Sequence, residues 1–321
     1  MTLKKKYLMP KNLSVCAAKQ FFDEVEPIFS LTNAKIPGVE LDTSQTEKAD
    51  IFGQLMLYKF IEYTIHKGCF SGPSTNLKSN YRLKDLLDKT GFLPFVNEFM
   101  NKRNNVLKND IPEEYKLEWK EVDKFYIAPI VLSTSASSNY TAKEELIHQK
   151  IKEYYKGCST IVGTIMSCIN EVGTNFLEHA EENTNSVMVA SGNSDYFELA
   201  CADTGKGVLS SLRPVVKGKK QKHEILREAF NRGVTSKPGT NHVGAGIWLI
   251  SQYVSFSKGE LIIYSEGASC HQKKSNFKMG QCGYWKGTVV YVRLPLRNND
   301  AMAAGKAKLS KQFNQVQLSL V

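Results

Sequence analysis

The amino-acid sequence predicts an α/β (α+β) fold. A two-layer sandwich is expected in its C-terminal half, with a mixed sheet covered by helices on one face, preceded by a smaller α/β unit. Three observations carry this expectation. Residues 143–182 show helical spacing of apolar side chains. Residues 186–202 and 261–296 hold short runs rich in β-branched and aromatic residues, broken by turn residues. A small, polar stretch, STSASSNYTA (133–142), separates this block from what precedes it. The division that follows is 1–132, a linker over 133–142, a second unit over 143–297 and a basic tail over 298–321.

A chain of 321 residues is long enough for two domains of ordinary size. In the first unit VELD (39–42) reads as a short buried strand. A helix is expected over Ile51–His66, with Ile51, Leu55, Tyr58 and Glu62 on one side and Phe52, Met56, Phe60 and Tyr63 on another. RLKDLLDKTG (82–91) reads as a short helix stopped by Gly91. FYIAPIVLS (125–133) reads as a strand whose Pro129 marks an edge or a bulge. After the linker come two helices, 143–156 and 158–182, then the strands VMVAS and YFELACAD. A long loop with a short helix over 222–231 follows, then a helix after Gly246. The strands LIIYSE (261–266) and GTVVYVRLPL (287–296) close the block.

Composition narrows the classes. A content of 42% hydrophobic and 23% charged residues is that of a soluble globular chain. No apolar run approaches the ~20 residues that span a bilayer. The basic start, MTLKKKYLMP, lacks the apolar stretch of a secretory signal. A cytoplasmic protein without membrane association is expected, and seven cysteines without a CxxC pair fit reduced thiols there. Cys270, His271 and Cys282 lack a fourth ligand at zinc spacing and read as a polar hairpin with stray thiols.

The formal charge of +10 is unevenly spread. Residues 1–140 hold 19 basic against 17 acidic side chains, whereas 213–237 alone hold 8 against 2. A compact basic loop suits a triphosphate at least as well as a duplex backbone. Nucleic acid is the alternative partner, without a recognised binding motif or an aromatic-interleaved basic strand to support it.

Three segments carry chemistry. In NEVGTNFLEHA (170–180), Glu171, Asn175 and His179 recur every four residues and share a helix face. Gly173 and Asn175 are poor residues for a helix interior and cost stability unless something uses them. An Asn amide oxygen can ligate Mg²⁺, and a carboxylate one turn earlier can hold or deprotonate a water in line with a terminal phosphate. ACADTGKGV (200–208) is a strand ending in Asp-x-Gly-x-Gly. Asp203 there presents an acceptor for the exocyclic amino group of adenine, and Gly205 and Gly207 let the backbone approach a flat ligand. NRGVTSKPGTNHVGAGIWLI (231–250) sets Gly239, Gly244, Ala245 and Gly246 ahead of the amphipathic run Ile247–Val254. Amides at such a helix start form an anion site for phosphates. Taken singly, each segment also fits plain structure: a solvated helix face, an Asp–Gly turn, a glycine hinge opening a helix.

Together, in this order and spacing, the three segments resemble the ATP-binding family of gyrase, heat-shock chaperone, histidine kinase and MutL (GHKL), over roughly residues 145–297. The resemblance implies ATP and Mg²⁺ as cofactors. It implies Glu171 as the catalytic or water-positioning carboxylate, Asn175 as the Mg²⁺ ligand and Asp203 as the reader of adenine. Gly205 and Gly207 would shape the pocket, and Gly244, Ala245 and Gly246 would cradle the phosphates. Residues 208–243 would form a lid, with Lys237 and Arg232 reaching the phosphates. An ATPase or protein kinase is implied, acting with a protein partner or phosphoacceptor and expected as a homodimer; a nucleotide sensor without turnover is the alternative.

NEVGTNFLEHA is closest to the anti-sigma and switch kinases and to histidine kinases. His148, in ELIHQKIK, lacks the acidic residue and proline that accompany a phosphoacceptor histidine, so a surface histidine is expected. Nothing after residue 297 supplies the transducer lysine of gyrase or MutL, and AMAAGKAKLSKQF reads as a frayed basic tail. VELDTSQTEKADIFGQLMLYKF (39–60) is similar to STAS-type domains, in which a phosphorylatable serine precedes a glycine at the strand-to-helix turn. Here Phe52 precedes Gly53, so a domain of that kind would sense or dock.

Overall fold

SVMVASG (186–192), YFELACA (196–202), ELIIYS (260–265) and TVVYVRLP (288–295) are almost wholly buried along their length, at odd and even positions alike. Strands of that kind need cover on both sides. The structure, a computed structural model, describes residues 4–30, 38–73, 80–96, 123–132, 137–179, 186–216, 218, 221–235, 245–297 and 299–318.

The first region runs β1 (Lys4–Leu8), β2 (Asn12–Leu13), α1 (Ala18–Ser30), β3 (Gly38–Asp42), β4 (Lys48–Ala49), α2 (Ile51–His66), β5 (Phe70–Pro73) and α3 (Tyr81–Lys89). The second runs β6 (Phe125–Leu132), α4 (Ser137–Tyr154), α5 (Ser159–His179), β7 (Ser186–Gly192), β8 (Tyr196–Ala202), α6 (Val208–Leu212), α7 (Lys222–Glu228), α8 (Gly246–Ser257), β9 (Glu260–Ser265), β10 (Ala268–Lys273), β11 (Asn276–Gln281), β12 (Thr288–Pro295) and α9 (Asn299–Leu318).

A seven-stranded sheet in the order β11-β10-β9-β12-β8-β7-β6 forms the centre. The protein is therefore mixed α/β, but each pairing in this sheet is antiparallel, which corrects the expectation of a mixed sheet. The reason is the place of β12. It inserts between β8 and β9 and runs against both, so these two strands share a direction without pairing. Parallel pairing is confined to the first region, in β1-β3-β5 and β2-β4.

Alternate residues of the central strands enter two separate cores. Met188, Ala190, Leu199, Cys201, Leu261, Ile263, Val290 and Val292 pack with α4, α5 and α8. Val187, Val189, Ala200, Ala202, Ile262, Tyr264, Val289 and Tyr291 pack with α1 and α2. Helices therefore lie on both faces, α4, α5 and α8 on one and α1 with α2 on the other, where cover on one face was expected.

Three boundaries differ from the sequence reading for the same reason. FYIAPIVL, assigned to the first unit, is the edge strand β6 beside β7, with a register shift between Ile127 and Ile130 that brackets Pro129. Of the expected linker, 133–136 lie outside the described residues and 137–142 open α4. The basic tail is α9, docked on α8 and α5 through buried Met302 and Leu309, because its small and apolar residues find a surface that local sequence does not reveal. His148 is exposed on α4, as expected. No helix among the described residues is long and apolar enough to cross a membrane.

α2 lies between the two sheets and is buried nearly all round. Its buried Lys59 and Glu62 pair with each other, which offsets the cost of taking two charges out of water. Phe52, at the position compared with the STAS serine, packs under Tyr264 and Tyr291. Asp50 caps the helix, accepting from Gly53 N at 2.8 Å and from Val15 N at 3.0 Å. Burial raises its pKa to about 6, against the pull of those two hydrogen bonds.

The sign of the resulting pH dependence follows. Between 3.8 and about 6 the folded state holds the Asp50 proton more tightly than the unfolded state. Asp50's contribution is thus complete below that window and is lost as pH rises through it. The stability difference between wild type and Asp50→Asn should shift against wild type by roughly 1–3 kcal/mol from pH 4 to pH 6.5. Urea denaturation at several pH values measures it, and a difference constant with pH would refute it.

Candidate functional site

Two of the three sequence segments meet at one point. Glu171 and Asn175 project from the same face of α5, both partly buried. Against them lies Gly246, the first residue of α8. A Cβ on Gly246 would lie 2.6 Å from Glu171 Oε2 and 3.0 Å from Asn175 Nδ2. The glycine leaves room for these two side-chain ends, and a side chain at 246 would require the Glu171 carboxylate and the Asn175 amide to shift. Asn175 Nδ2 donates to the Glu171 carbonyl at 2.6 Å, a bond to the preceding turn that holds the amide in place. Ala245, the N-cap of α8, has no side chain able to cap the helix, so the first amides of α8 receive no side-chain acceptor from that position.

The second segment forms a turn at the end of β8. Asp203 follows β8 and is buried. Its backbone N donates to Thr288 O at 3.0 Å, and Oδ1 accepts from Gly205 N at 2.7 Å, closing the DTG turn. Its carbonyl accepts from Trp285 Nε1 at 3.0 Å. Gly287 has φ +101°, and a Cβ on it would lie 2.4 Å from Asp203 Oδ1 and 2.5 Å from the Asp203 carbonyl oxygen. Thr288 Oγ1 accepts from Val208 N at 2.9 Å, tying the start of α6 to β12. Gly207 is the N-cap of α6 and packs against Ser265 and Glu266. Glu266 accepts from Ser210 N at 2.7 Å, and its carbonyl accepts from Lys222 Nζ at 2.8 Å.

The basic stretch is more ordered than its composition suggests. Ile225, Leu226, Ala229 and Phe230 form one buried face of α7 and the turn after it, packed toward β10 and β11. The short helix expected over 222–231 is present as α7, and its apolar spacing buries one face. Arg227 lies over the Phe277 ring at 3.7 Å and Arg232 over the Trp248 ring at 5.1 Å. Gly239, Gly244 and Lys237 lie outside the described residues, as does the side chain of His179.

The nearby thiols are inert. Burial pushes Cys168 and Cys201 well above the ordinary thiol range, and the Glu171 and Asp203 carboxylates respectively add to it. Both stay protonated, so neither is a nucleophile. Among the described residues no group of three or more His, Cys, Asp and Glu could hold a metal. Cys270 points into the helix-side core, while its strand neighbour His271 turns to Glu260 at 2.8 Å on the other side.

Sequence reasoning missed Thr288, Gly287, Trp285 and Glu266. The one local signal was a glycine immediately ahead of the last strand. Everything else about them is long-range contact with Asp203 or α6.

Gly287→Ala should cost about 2–4 kcal/mol, since it combines left-handed backbone strain with a clash on Asp203. Gly68→Ala, at φ +68° with open space around it, should cost only about 1 kcal/mol. Urea titration of both compares them directly, and equal losses would remove the packing role given to Gly287.

A scan of the chain against protein-family models returns no match, and a search of curated proteins returns none either.

Proposed function

We propose that this chain binds ATP–Mg²⁺ as a regulatory ATPase or protein kinase of the GHKL type. The observation that carries the reading is the contact of Gly246 with Glu171 and Asn175. Residues some seventy positions apart, singled out on chemical grounds, adjoin at the start of one helix. Sheet, α5 and α8 are read as the two-layer ATP-binding unit, with the N-terminal region as an added sensing or docking layer.

In this reading Asp203 accepts from the adenine amino group, with Gly205, Gly207 and Thr288 shaping the pocket beside it. The amides opening α8, with Ala245 and Gly246, face the phosphates. Gly244 and Lys237 are assigned to the same cradle from the sequence. The donor set suits Mg²⁺: one neutral amide oxygen and no cluster of carboxylates, as for an ion that keeps phosphate oxygens and waters in its shell. Mg²⁺ when bound neutralises charge on the phosphates. Asn175, held by its bond to the Glu171 carbonyl, supplies that oxygen without further ordering. Glu171, one turn earlier, orients a water or the acceptor hydroxyl and takes its proton.

Several observations weigh against nucleic acid as the ligand. Lys222, Arg227 and Arg232, from the basic stretch, are engaged with a backbone carbonyl and with aromatic rings of this chain. A nucleic-acid surface would leave such charges spread over one face. All the described cysteines are free thiols, which suits a reducing, cytoplasmic setting. A protein partner, as phosphoacceptor or effector, is part of the proposal.

Millimolar ATP with Mg²⁺ should raise the melting temperature, with stabilisation of about 2.7 kcal/mol at a hundredfold excess over Kd. Asp203→Asn should remove most of the shift, and an unshifted wild type would sink the assignment. Asn175→Ala should lose the Mg²⁺-dependent part of nucleotide affinity. Glu171→Ala should keep binding and lose phosphate release or transfer. If Glu171→Ala turns over like wild type, its carboxylate is a helix-surface charge; if wild type binds without any turnover, the chain is a nucleotide sensor.

A further inference from the structure

The segment between β11 and β12, residues 282–287, touches both layers of the molecule. On one side Trp285 Nε1 donates to the Asp203 carbonyl at 3.0 Å. On the other, the fully buried indole lies among rings of α1, with centroids 4.8 Å from Phe29, 5.6 Å from Phe22 and 6.4 Å from Phe21. Two residues earlier, Gly283 N donates to Asp23 Oδ1 of α1 at 2.7 Å. Gly283 is pressed so close to α1 that a Cβ would lie 2.2 Å from the Phe22 carbonyl oxygen. Glu266 N donates to the Trp285 carbonyl at 3.1 Å, so the residue that braces α6 also braces this segment.

We propose that Trp285 is a positioning residue for Asp203, and that through it the placement of α1 sets how well the pocket reads the base of a nucleotide. The inference rests on the nucleotide reading above and adds a specificity device to it. A purely packing role in the aromatic cluster would be filled by any large ring. The indole N–H does something else: it satisfies a buried carbonyl whose own residue carries the base-reading carboxylate. Without that bond the Asp203 carbonyl loses one of the anchors that fix its peptide beside the Thr288 and Gly205 bonds, and a small tilt at the backbone moves the carboxylate away from an amino group in the base plane. Such a tilt acts on discrimination. A carboxylate accepts from the 6-amino group of adenine and repels the 6-oxo group of guanine, so losing its aim lowers ATP affinity and leaves GTP affinity nearly unchanged. α1 enters through two grips on the same segment, the ring cluster and Asp23. Movement of the N-terminal layer is thereby felt at Asp203, at the end of β8.

The test measures Kd for ATP and for GTP, each with Mg²⁺, on wild type, Trp285→Phe, Asp23→Ala and Lys19→Ala. Trp285→Phe keeps the ring and removes the donor; ATP affinity should fall about tenfold, the size of one lost hydrogen bond, and the ATP:GTP ratio should fall with it. Asp23→Ala acts from a half-exposed side chain on α1, so it tests the same link should Trp285→Phe fold poorly, and a smaller loss of about threefold for ATP is expected. Lys19→Ala removes the 2.6 Å Lys19–Asp23 pair but leaves the Gly283 bond, and should leave both affinities unchanged. A wild type that binds neither nucleotide overturns the nucleotide reading and this inference together. A wild type that prefers ATP, with Trp285→Phe and Asp23→Ala matching it, overturns the inference alone. Equal losses for ATP and GTP in those variants also overturn it, because they mark a structural role without base reading.

Discussion

Two-sided burial of the central sheet is the constraint from which most of the architecture follows. Side chains alternate across a strand, so β7, β8, β9 and β12 can be buried at nearly every position only if something covers each face. α4, α5 and α8 supply one cover and α1 with α2 the other. α2 is consequently caught between two sheets, and its all-round burial explains why Lys59 and Glu62 must pair inside the protein. Each large side chain brought into these cores contributes about 1.5–3 kcal/mol, which makes the N-terminal layer part of the same cooperative structure as the sheet.

The candidate site residues stand where elements meet at their ends. Asp203 stands at the end of β8, Glu171 and Asn175 near the end of α5, and Gly246 at the start of α8. Strand ends and helix starts expose unpaired backbone groups, so ligands are recognised there. Close approach is what glycine provides at both contacts: Gly246 lets a helix start touch Glu171, and Gly287 lets β12 turn tightly around Asp203. Around them Glu266 holds α6 and the 282–287 segment at once.

Charge follows packing more than composition. The basic stretch after Gly207 reads in the sequence as a compact basic loop holding one short helix. In the fold α7 buries an apolar face, Lys222 reaches a backbone carbonyl, and Arg227 and Arg232 lie on aromatic rings. Guanidinium groups stacked on rings keep their charge while losing freedom, and so they project a local positive field without offering a broad polyanion surface.

What the sequence by itself determined was local. The spacing of Glu171 and Asn175 put them on one helix face, the Asp-Gly pattern put a turn after β8, and glycines ahead of Ile247 opened a helix. Short-range geometry fixes each of these, and α5, the DTG turn and α8 stand where periodicity and turn chemistry set them. What only the tertiary structure decided was which of these pieces touch, and what lies across from them. No periodicity announces that Gly246 abuts Glu171, that β12 slips between β8 and β9, or that FYIAPIVL leaves its own unit to edge the larger sheet. Nor does it announce that a tail rich in alanine and lysine docks on α8. Least visible was the Trp285 indole on the Asp203 carbonyl, eighty-two residues apart. Contacts at such separations depend on the packing of whole layers, and the information for them is spread over every side chain that makes the two faces of the sheet apolar.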